Sequence, residues 1–256
     1  MILTLDIGNT NITIGVYDHD KLRFVSRMAT DSSRMEDQYA IELRDILDIN
    51  GVAMKNIEGC AISSVVPPVN TAIVRAVRKL TNVNPICVGP QTKTNVKIKV
   101  QQPELTGADL IVGCEAAASM FNGPTIILDM GTATTFVLLD REKNMLGGCI
   151  YPGVGISLDA LTHRTAQLPS ISLKAPGKTI CDNTVDCMRS GIIYGTACMI
   201  DGMVERMEAE VGERCHVVAT GGLSKEIIRH CRHSIHFCDT LLLDGLLMIY
   251  HANKEN

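Results

Sequence analysis

The chain has 256 residues, 46% of them hydrophobic, which is enough for one large core or two moderate ones. Its net charge of -4 is spread in mixed signs, which argues against a nucleic-acid groove or a membrane-surface patch. Apolar runs such as Leu241 to Leu243 are far shorter than a bilayer span, and the N-terminus opens on strand residues rather than a signal peptide.

Taken in chain order, Met1 to Asp6, Ile12 to Tyr17 and Leu22 to Arg27 predict three consecutive strands, the last two joined by the polar turn Asp18-His19-Asp20-Lys21. Ser33-x-x-Glu36 has the form of a capping box. Met35, Tyr39, Leu43, Ile46 and Leu47 follow at helical spacing, and Asn50-Gly51 is a stop. A buried strand over Cys60 to Val66, a helix begun by Pro67-Pro68 and a strand over Pro85 to Val88 come next. Asn95 to Thr106 is read as a loop with some extended structure, and Asp109 to Phe121 as an Ala-rich helix. Strands mixed with crossover helices in this order predict an α/β class with a mixed sheet.

The plan then restarts. Thr125 to Asp129, Thr134 to Asp140 and Met145 to Tyr151 predict three strands, again with a charged turn, Arg141 to Asn144, before the third. Pro152-Gly153-Val154-Gly155 leads into a helix around Ser157 to Thr162. A long helix is expected over Thr184 to Val211, with Gly191, Gly195 and Gly202 permitting close packing or a ligand nearby. His216 to Ala219 is a strand ending in Thr220-Gly221-Gly222, and Leu223 to Cys231 and Leu241 to His251 are helical.

Ten cysteines contain no Cys-x-x-Cys pair, and Cys60, Cys149 and Cys215 sit within apolar strands; buried free thiols are expected rather than disulfides or a metal site. His230, His233 and His236 fit none of the usual zinc spacings.

Two stretches correspond: Leu5-Asp6-Ile7-Gly8-Asn9-Thr10-Asn11-Ile12-Thr13 and Leu128-Asp129-Met130-Gly131-Thr132-Ala133-Thr134-Thr135-Phe136. In each, an apolar strand runs into an Asp-apolar-Gly-polar turn and then a second apolar run. Such a turn brings backbone amides and hydroxyls close to a ligand where glycine allows approach, and it can cradle phosphates. The carboxylate at the strand end can hold a metal ion or its water shell. Two copies suggest a duplicated domain, with a division near Ala118 into residues 1–117 and 118–256. No Gly-x-x-x-x-Gly-Lys-Ser/Thr motif is present, which argues against a P-loop kinase. Asp109 follows Thr106-Gly107-Ala108 at a helix start, where an aspartate can serve as a cap, as a base, or as both.

With Thr220-Gly221-Gly222, the paired hairpins resemble the sugar kinase, actin and heat-shock ATPase superfamily. That resemblance implies two actin-like (ribonuclease H-like) domains with mixed sheets flanked by helices and ATP in the cleft between them. Asp6 to Asn11, Gly107-Ala108-Asp109, Asp129-x-Gly131-Thr132-Ala133-Thr134-Thr135, Gly147-Gly148-x-Ile150-x-Pro152-Gly153, Thr165 to Pro169, Asn183-Thr184 and Ser190-Gly191 together resemble type III pantothenate kinase, in order over nearly the whole chain. The family resemblance implies ATP-dependent phosphorylation of pantothenate, the first step toward coenzyme A, by a cytoplasmic homodimer. By residue it implies ATP binding by Asp6, Ile7, Gly8, Asn9, Thr10, Asn11, Ile12, Thr13 and Thr132, with Asp6 close to magnesium-bound phosphates. Asp129 matches the position for a monovalent cation (potassium or ammonium). Gly107, Ala108, Asp109, Leu110 and Thr184 match positions facing pantothenate, and Asp109 matches the catalytic base. Leu110 stands where the family commonly has Arg, and Val100 where many members have Tyr, so either another group holds the pantothenate carboxylate or the affinity is weaker. The alternatives are a kinase of the same superfamily acting on another alcohol, and a nucleotide-sensing regulator without turnover.

Overall fold

In the computed structural model, which describes residues 1–254, the elements follow as β1 (Ile2–Ile7), β2 (Asn11–Asp18), β3 (Lys21–Ala29), α1 (Glu36–Ile49), β4 (Gly59–Ser64), α2 (Pro67–Thr81), β5 (Ile86–Cys87), β6 (Lys97–Ile98), α3 (Ala108–Met120), β7 (Thr125–Met130), β8 (Ala133–Leu139), β9 (Asn144–Pro152), α4 (Val154–Arg164), α5 (Thr184–Val211), β10 (His216–Thr220), α6 (Ser224–Ile228), β11 (His236–Phe237) and α7 (Leu241–Asn253). Single 3-10 turns lie at Met54–Asn56 and Pro103–Leu105. The chain divides into two compact units. One is Met1–Ser119 together with the chain from Thr240 onward; the other is Met120–Asp239.

The first unit carries the sheet β3-β2-β1-β4-β5, antiparallel across β3-β2-β1 and parallel across β1-β4-β5. Side chains alternate along a strand, so β1 has two faces. Leu3, Leu5 and Ile7 join Ile12, Ile14 and Ile62 on one face and pack with Tyr39, Leu43, Ile73 and Val77 of α1 and α2. The opposite face carries Ile2, Thr4 and Asp6, in register with Tyr17, Gly15 and Thr13 of β2 and with Gly59, Ala61 and Ser63 of β4. This second face is covered by α7 and α3. Leu243 and Leu247 pack on Ile2 and Tyr17, and Leu246 and Ile249 cluster with Ala61 and Val112. Gly245 permits the helices to touch, because a Cβ there would lie 2.2 Å from the Val112 carbonyl oxygen.

The second unit repeats the plan. Its strands run in the order β11-β10-β7-β8-β9, with antiparallel β7-β8-β9 and parallel β7-β10-β11. Ile126, Leu128, Met130, Phe136, Val217 and Ala219 form the face that packs on α5, with Ile193, Ala197, Ile200 and Val204. Asp129 lies on the other face, in register with Thr135 and Thr220.

Several local expectations need adjusting. The first capping box is not Ser33-x-x-Glu36: the α1 N-cap is Met35, whose amide donates to Gln38 Oε1 at 2.9 Å. Ser33 instead closes an Asx turn, its amide and hydroxyl both donating to Asp31 Oδ1. Helix α4 starts at Val154, directly after Gly153, rather than near Ser157. Helix α7, carried with the C-terminal half in the sequence reading, packs on β1, β2 and β4 of the first unit. Positions Gly191, Gly195 and Gly202 of α5 have nothing within 4 Å of an added Cβ, so they make no close packing within the chain. All ten cysteines are free thiols. Cys60 and Cys114 are buried and burial pushes both thiols up, whereas Cys87, Cys187 and Cys198 are exposed.

Candidate active site

Hydrogen bonds that ignore strand pairing hold the first hairpin. Gly8 N–H donates to the Asn11 carbonyl at 3.0 Å, which closes the turn between β1 and β2. Thr30, just beyond β3, pins the same turn twice: its amide donates to the Thr10 carbonyl at 3.0 Å and its hydroxyl to the Gly8 carbonyl at 2.7 Å. Asn9, Thr10 and Asn11 are thereby exposed on a fixed backbone, with Ile7 and Ile12 buried beneath them. Asp6, one residue before the strand ends, is half-buried beside Thr13 and Ser63.

Asp109 lies in the first turn of α3. The sequence Thr106-Gly107-Ala108-Asp109 has the spacing of a capping box, yet the box is not closed. The helix starts at Ala108, with Ile111 N–H donating to the Gly107 carbonyl at 3.3 Å. The Thr106 hydroxyl is buried without a hydrogen-bond partner. The Asp109 carboxylate instead accepts from the Leu110 amide at 2.8 Å. Burial pushes the Asp109 carboxyl above its usual value, against the opposing pull of the Leu110 amide and its own. A half-buried carboxylate of raised basicity at a helix start is suited to taking a proton.

The loop before Asp109 is anchored from both sides. Glu115 is only 2% exposed, and it accepts from the Asn95 amide at 2.9 Å and from Asn95 Nδ2 at 2.6 Å. Asn253 of α7 pairs with the Lys93 backbone in both directions, at 3.1 and 2.8 Å. Sequence reading passed over Glu115, although a lone acid inside Cys114-Glu115-Ala116-Ala117-Ala118 is a signal of a buried polar anchor. Gly107 carries a sharper constraint. A Cβ there would lie 2.4 Å from Asp109 Oδ1, so any side chain at 107 displaces the carboxylate. Gly107→Ala is expected to lower kcat by about tenfold to a hundredfold, the scale of a small misplacement of a reacting group, with the KM for ATP little changed. Steady-state kinetics with each substrate varied checks this.

In the second unit, glycines shape the corresponding hairpin. A Cβ on Gly153 would lie 2.2 Å from the Thr132 carbonyl oxygen and 2.7 Å from that of Gly131. Gly221, at φ +99, would place one 2.5 Å from the Met130 carbonyl oxygen. The β9–α4 junction and the end of β10 thus both lie directly on the 130–132 backbone, which leaves Thr132 exposed and Asp129 half-buried. Thr184 is exposed in the first turn of α5, whose N-cap Asn183 accepts from the Asp186 amide at 3.0 Å. The structure therefore groups Asp6 and its hairpin with Gly107–Leu110 in the first unit, and Asp129, Thr132 and Thr184 in the second.

Other polar groups have structural employment. Burial alone would raise Asp201, but the Arg232 and His233 amides and the His233 ring, 2.8 Å away, hold it below the usual carboxylate value. The His230 ring stands edge-on to Tyr194. A groove lined by Leu138, Leu146, Gly148, Met203 and Met207 lies at the far end of β8–β9 from Thr132.

Among the described residues no three His, Cys, Asp or Glu side chains converge on a metal position. Asp6 with neighbouring hydroxyls is instead an all-oxygen setting with one carboxylate. It fits magnesium, which keeps most of its waters and is shared with substrate phosphates. Asp129 with the in-register hydroxyls of Thr135 and Thr220 is likewise an all-oxygen set, suited to a hard cation.

Comparison with known proteins agrees with these features. A family model described as type III pantothenate kinase matches residues 2–206. A type III pantothenate kinase of Exiguobacterium sp. is 42% identical over 255 residues, covering 100% of both chains. One of Halalkalibacterium halodurans is 41% identical over 254 residues, covering 99% of this chain and 100% of that one. Among solved structures, component A of the Acidaminococcus fermentans (R)-2-hydroxyglutaryl-CoA dehydratase superposes with a TM-score of 0.58 at 13% identity, covering 99% of each chain. The inorganic polyphosphate/ATP-glucomannokinase of Arthrobacter sp. gives 0.51 at 13%, covering 98% of this chain and 96% of that one. At such identity these two likenesses concern the fold alone, which is that of the actin-like ATPases and sugar kinases. The chain belongs to the type III pantothenate kinase family.

Proposed function

We propose that the chain transfers a phosphoryl group from ATP to the primary hydroxyl of pantothenate in the cytoplasm, as the first step toward coenzyme A, and that it acts as a homodimer. The observation that carries this reading is the unclosed capping box at the start of α3, where Asp109 is a half-buried carboxylate of raised basicity. Phosphoryl transfer asks a protein mainly for in-line positioning and charge neutralisation. Asp109 is the general base: it accepts the hydroxyl proton as the oxygen–phosphorus bond forms. Gly107, Ala108, Leu110 and Thr184 hold pantothenate.

The backbone and hydroxyls of Asp6 to Thr13, with Thr132, hold ATP. Asp6 would hold magnesium, which would neutralise phosphate charge, and Asp129 would hold a potassium or ammonium ion, which would add a fixed positive charge. Leu110 gives no ionic grip on the pantothenate carboxylate, so either another group holds it or the affinity for it is weaker.

The test is ADP release with ATP and magnesium across a panel of alcohols, in potassium and then in sodium. Release that requires pantothenate and is stronger in potassium supports both assignments. Release with a sugar instead of pantothenate favours the kinase alternative, and ATP binding without any turnover favours the regulator.

A further inference from the structure

Ser63 is a residue that neither the sequence motifs nor the proposed mechanism uses. It stands in register with Asp6 across the parallel β1–β4 pair. In-register residues of neighbouring strands present their side chains to one face, with backbones about 4.8 Å apart. Ser63 is 0% exposed, and its Oγ has no hydrogen-bond partner. An unpaired buried hydroxyl is destabilising and uncommon, and it calls for a reason. Packing does not supply one. The preceding residues on that face of β4 are Gly59 and Ala61, and Ala61 is covered by Val112, Leu246 and Ile249; an alanine at 63 would continue the same surface.

We propose that Ser63 is a positioning residue for Asp6. In the nucleotide-bound state its hydroxyl donates to the Asp6 carboxylate. That bond fixes the carboxylate rotamer and leaves the remaining lone pairs facing the water shell of magnesium. Rotation about Ser63 χ1 is the movement required, and the strand register brings the two groups within its reach. The buried hydroxyl is thus kept for a bond made on binding, a cost to stability retained for function. The proposal rests on the nucleotide role assigned to Asp6.

The experiment uses the full chain and the variants Ser63→Ala, Ser63→Thr, Asp6→Asn and Asp6→Asn with Ser63→Ala. Thermal unfolding is followed without nucleotide, and ATP binding is measured by calorimetry with magnesium and with a chelator. Ser63→Ala is expected to unfold at the same or a higher temperature than wild type and to bind metal-free ATP as wild type does. It is expected to bind magnesium-ATP about tenfold more weakly, the lower end of what losing a partner of a metal-associated ligand costs. Ser63→Thr keeps the hydroxyl and restores binding, and Ser63→Ala adds nothing in the Asp6→Asn background. A lowered unfolding temperature with unchanged magnesium-ATP affinity would overturn the proposal, as would an equal loss with and without magnesium. Calorimetry needs no acceptor alcohol, so failure of the pantothenate assignment leaves the test intact. Failure of the nucleotide assignment itself appears separately, as absent binding by the wild-type chain.

Discussion

Asp109→Asn is expected to keep ATP affinity and lose turnover by about a hundredfold to ten-thousandfold, the range over which a positioned general base contributes. Asparagine has the same shape, and it can still accept the Leu110 amide bond seen at 2.8 Å, so the start of α3 should survive the change. What is lost is the ability to take a proton. Burial raises the Asp109 pKa, so the folded carboxyl holds its proton more tightly than the unfolded one. Activity should therefore be full above the raised pKa and fall as pH drops through it, placing the acid limb of kcat/KM higher than an unperturbed aspartate would. The same shift makes ionised Asp109 a burden on the folded state at neutral pH, relieved as pH falls through that pKa. Asp109→Asn should accordingly unfold at no lower a temperature than wild type at neutral pH. A variant that retained near wild-type kcat would remove Asp109 from the role of base.

Gly153→Ala is expected to weaken ATP binding by at least about tenfold and to cost about 1–3 kcal/mol of stability, the usual scale of overpacking. The added Cβ meets the Thr132 and Gly131 carbonyl oxygens at 2.2 and 2.7 Å. Both are backbone atoms, so no side-chain rotation relieves the contact and the second hairpin itself must move. Gly155→Ala is the matched control. It lies two residues on, in the first turn of α4, has nothing within 4 Å of its added Cβ, and should be neutral or slightly stabilising. Equal ATP affinity in the two variants, measured by calorimetry beside their unfolding temperatures, would show that the position of Thr132 does not matter to nucleotide binding.

Much of the architecture was legible in sequence because it is set by local rules. The ends of α5 were readable from Asn183-Thr184 and Val211-Gly212: Asn183 caps the start, and Gly212 takes the left-handed conformation at φ 82 that ends it. The strand–turn–strand copies around Gly8 and Gly131 were readable because strand alternation and the polar turn sit within a dozen residues. The place of α7 was not. Its run Leu241 to Ile249 is apolar on more than one side, and periodicity says that such a helix is buried without saying against what. It packs on β1 and β4, which lie about 240 and 180 residues earlier in the chain.

The site was readable as residue types and not as geometry. Thr106-x-x-Asp109 spells a capping box in sequence, and only the structure has the helix starting at Ala108, the Thr106 hydroxyl unpartnered and the Asp109 carboxylate turned to the Leu110 amide. Ser63 sits in Cys60-Ala61-Ile62-Ser63-Ser64, an unremarked strand end until register pairs it with Asp6. The closeness of Gly107 to the Asp109 carboxylate is also a matter of ångströms, for which spacing offers no signal.

The most direct measurement is product identification after incubation of the wild-type chain with ATP, magnesium, potassium and pantothenate, by phosphorus NMR and mass spectrometry. The account predicts a phosphate monoester on the primary hydroxyl of pantothenate, formed in step with ADP, and formed at least about a hundredfold more slowly by Asp109→Asn under identical conditions. Folded wild-type chain that binds ATP yet leaves pantothenate unmodified, or an Asp109→Asn chain that forms the same ester at the same rate, would contradict it.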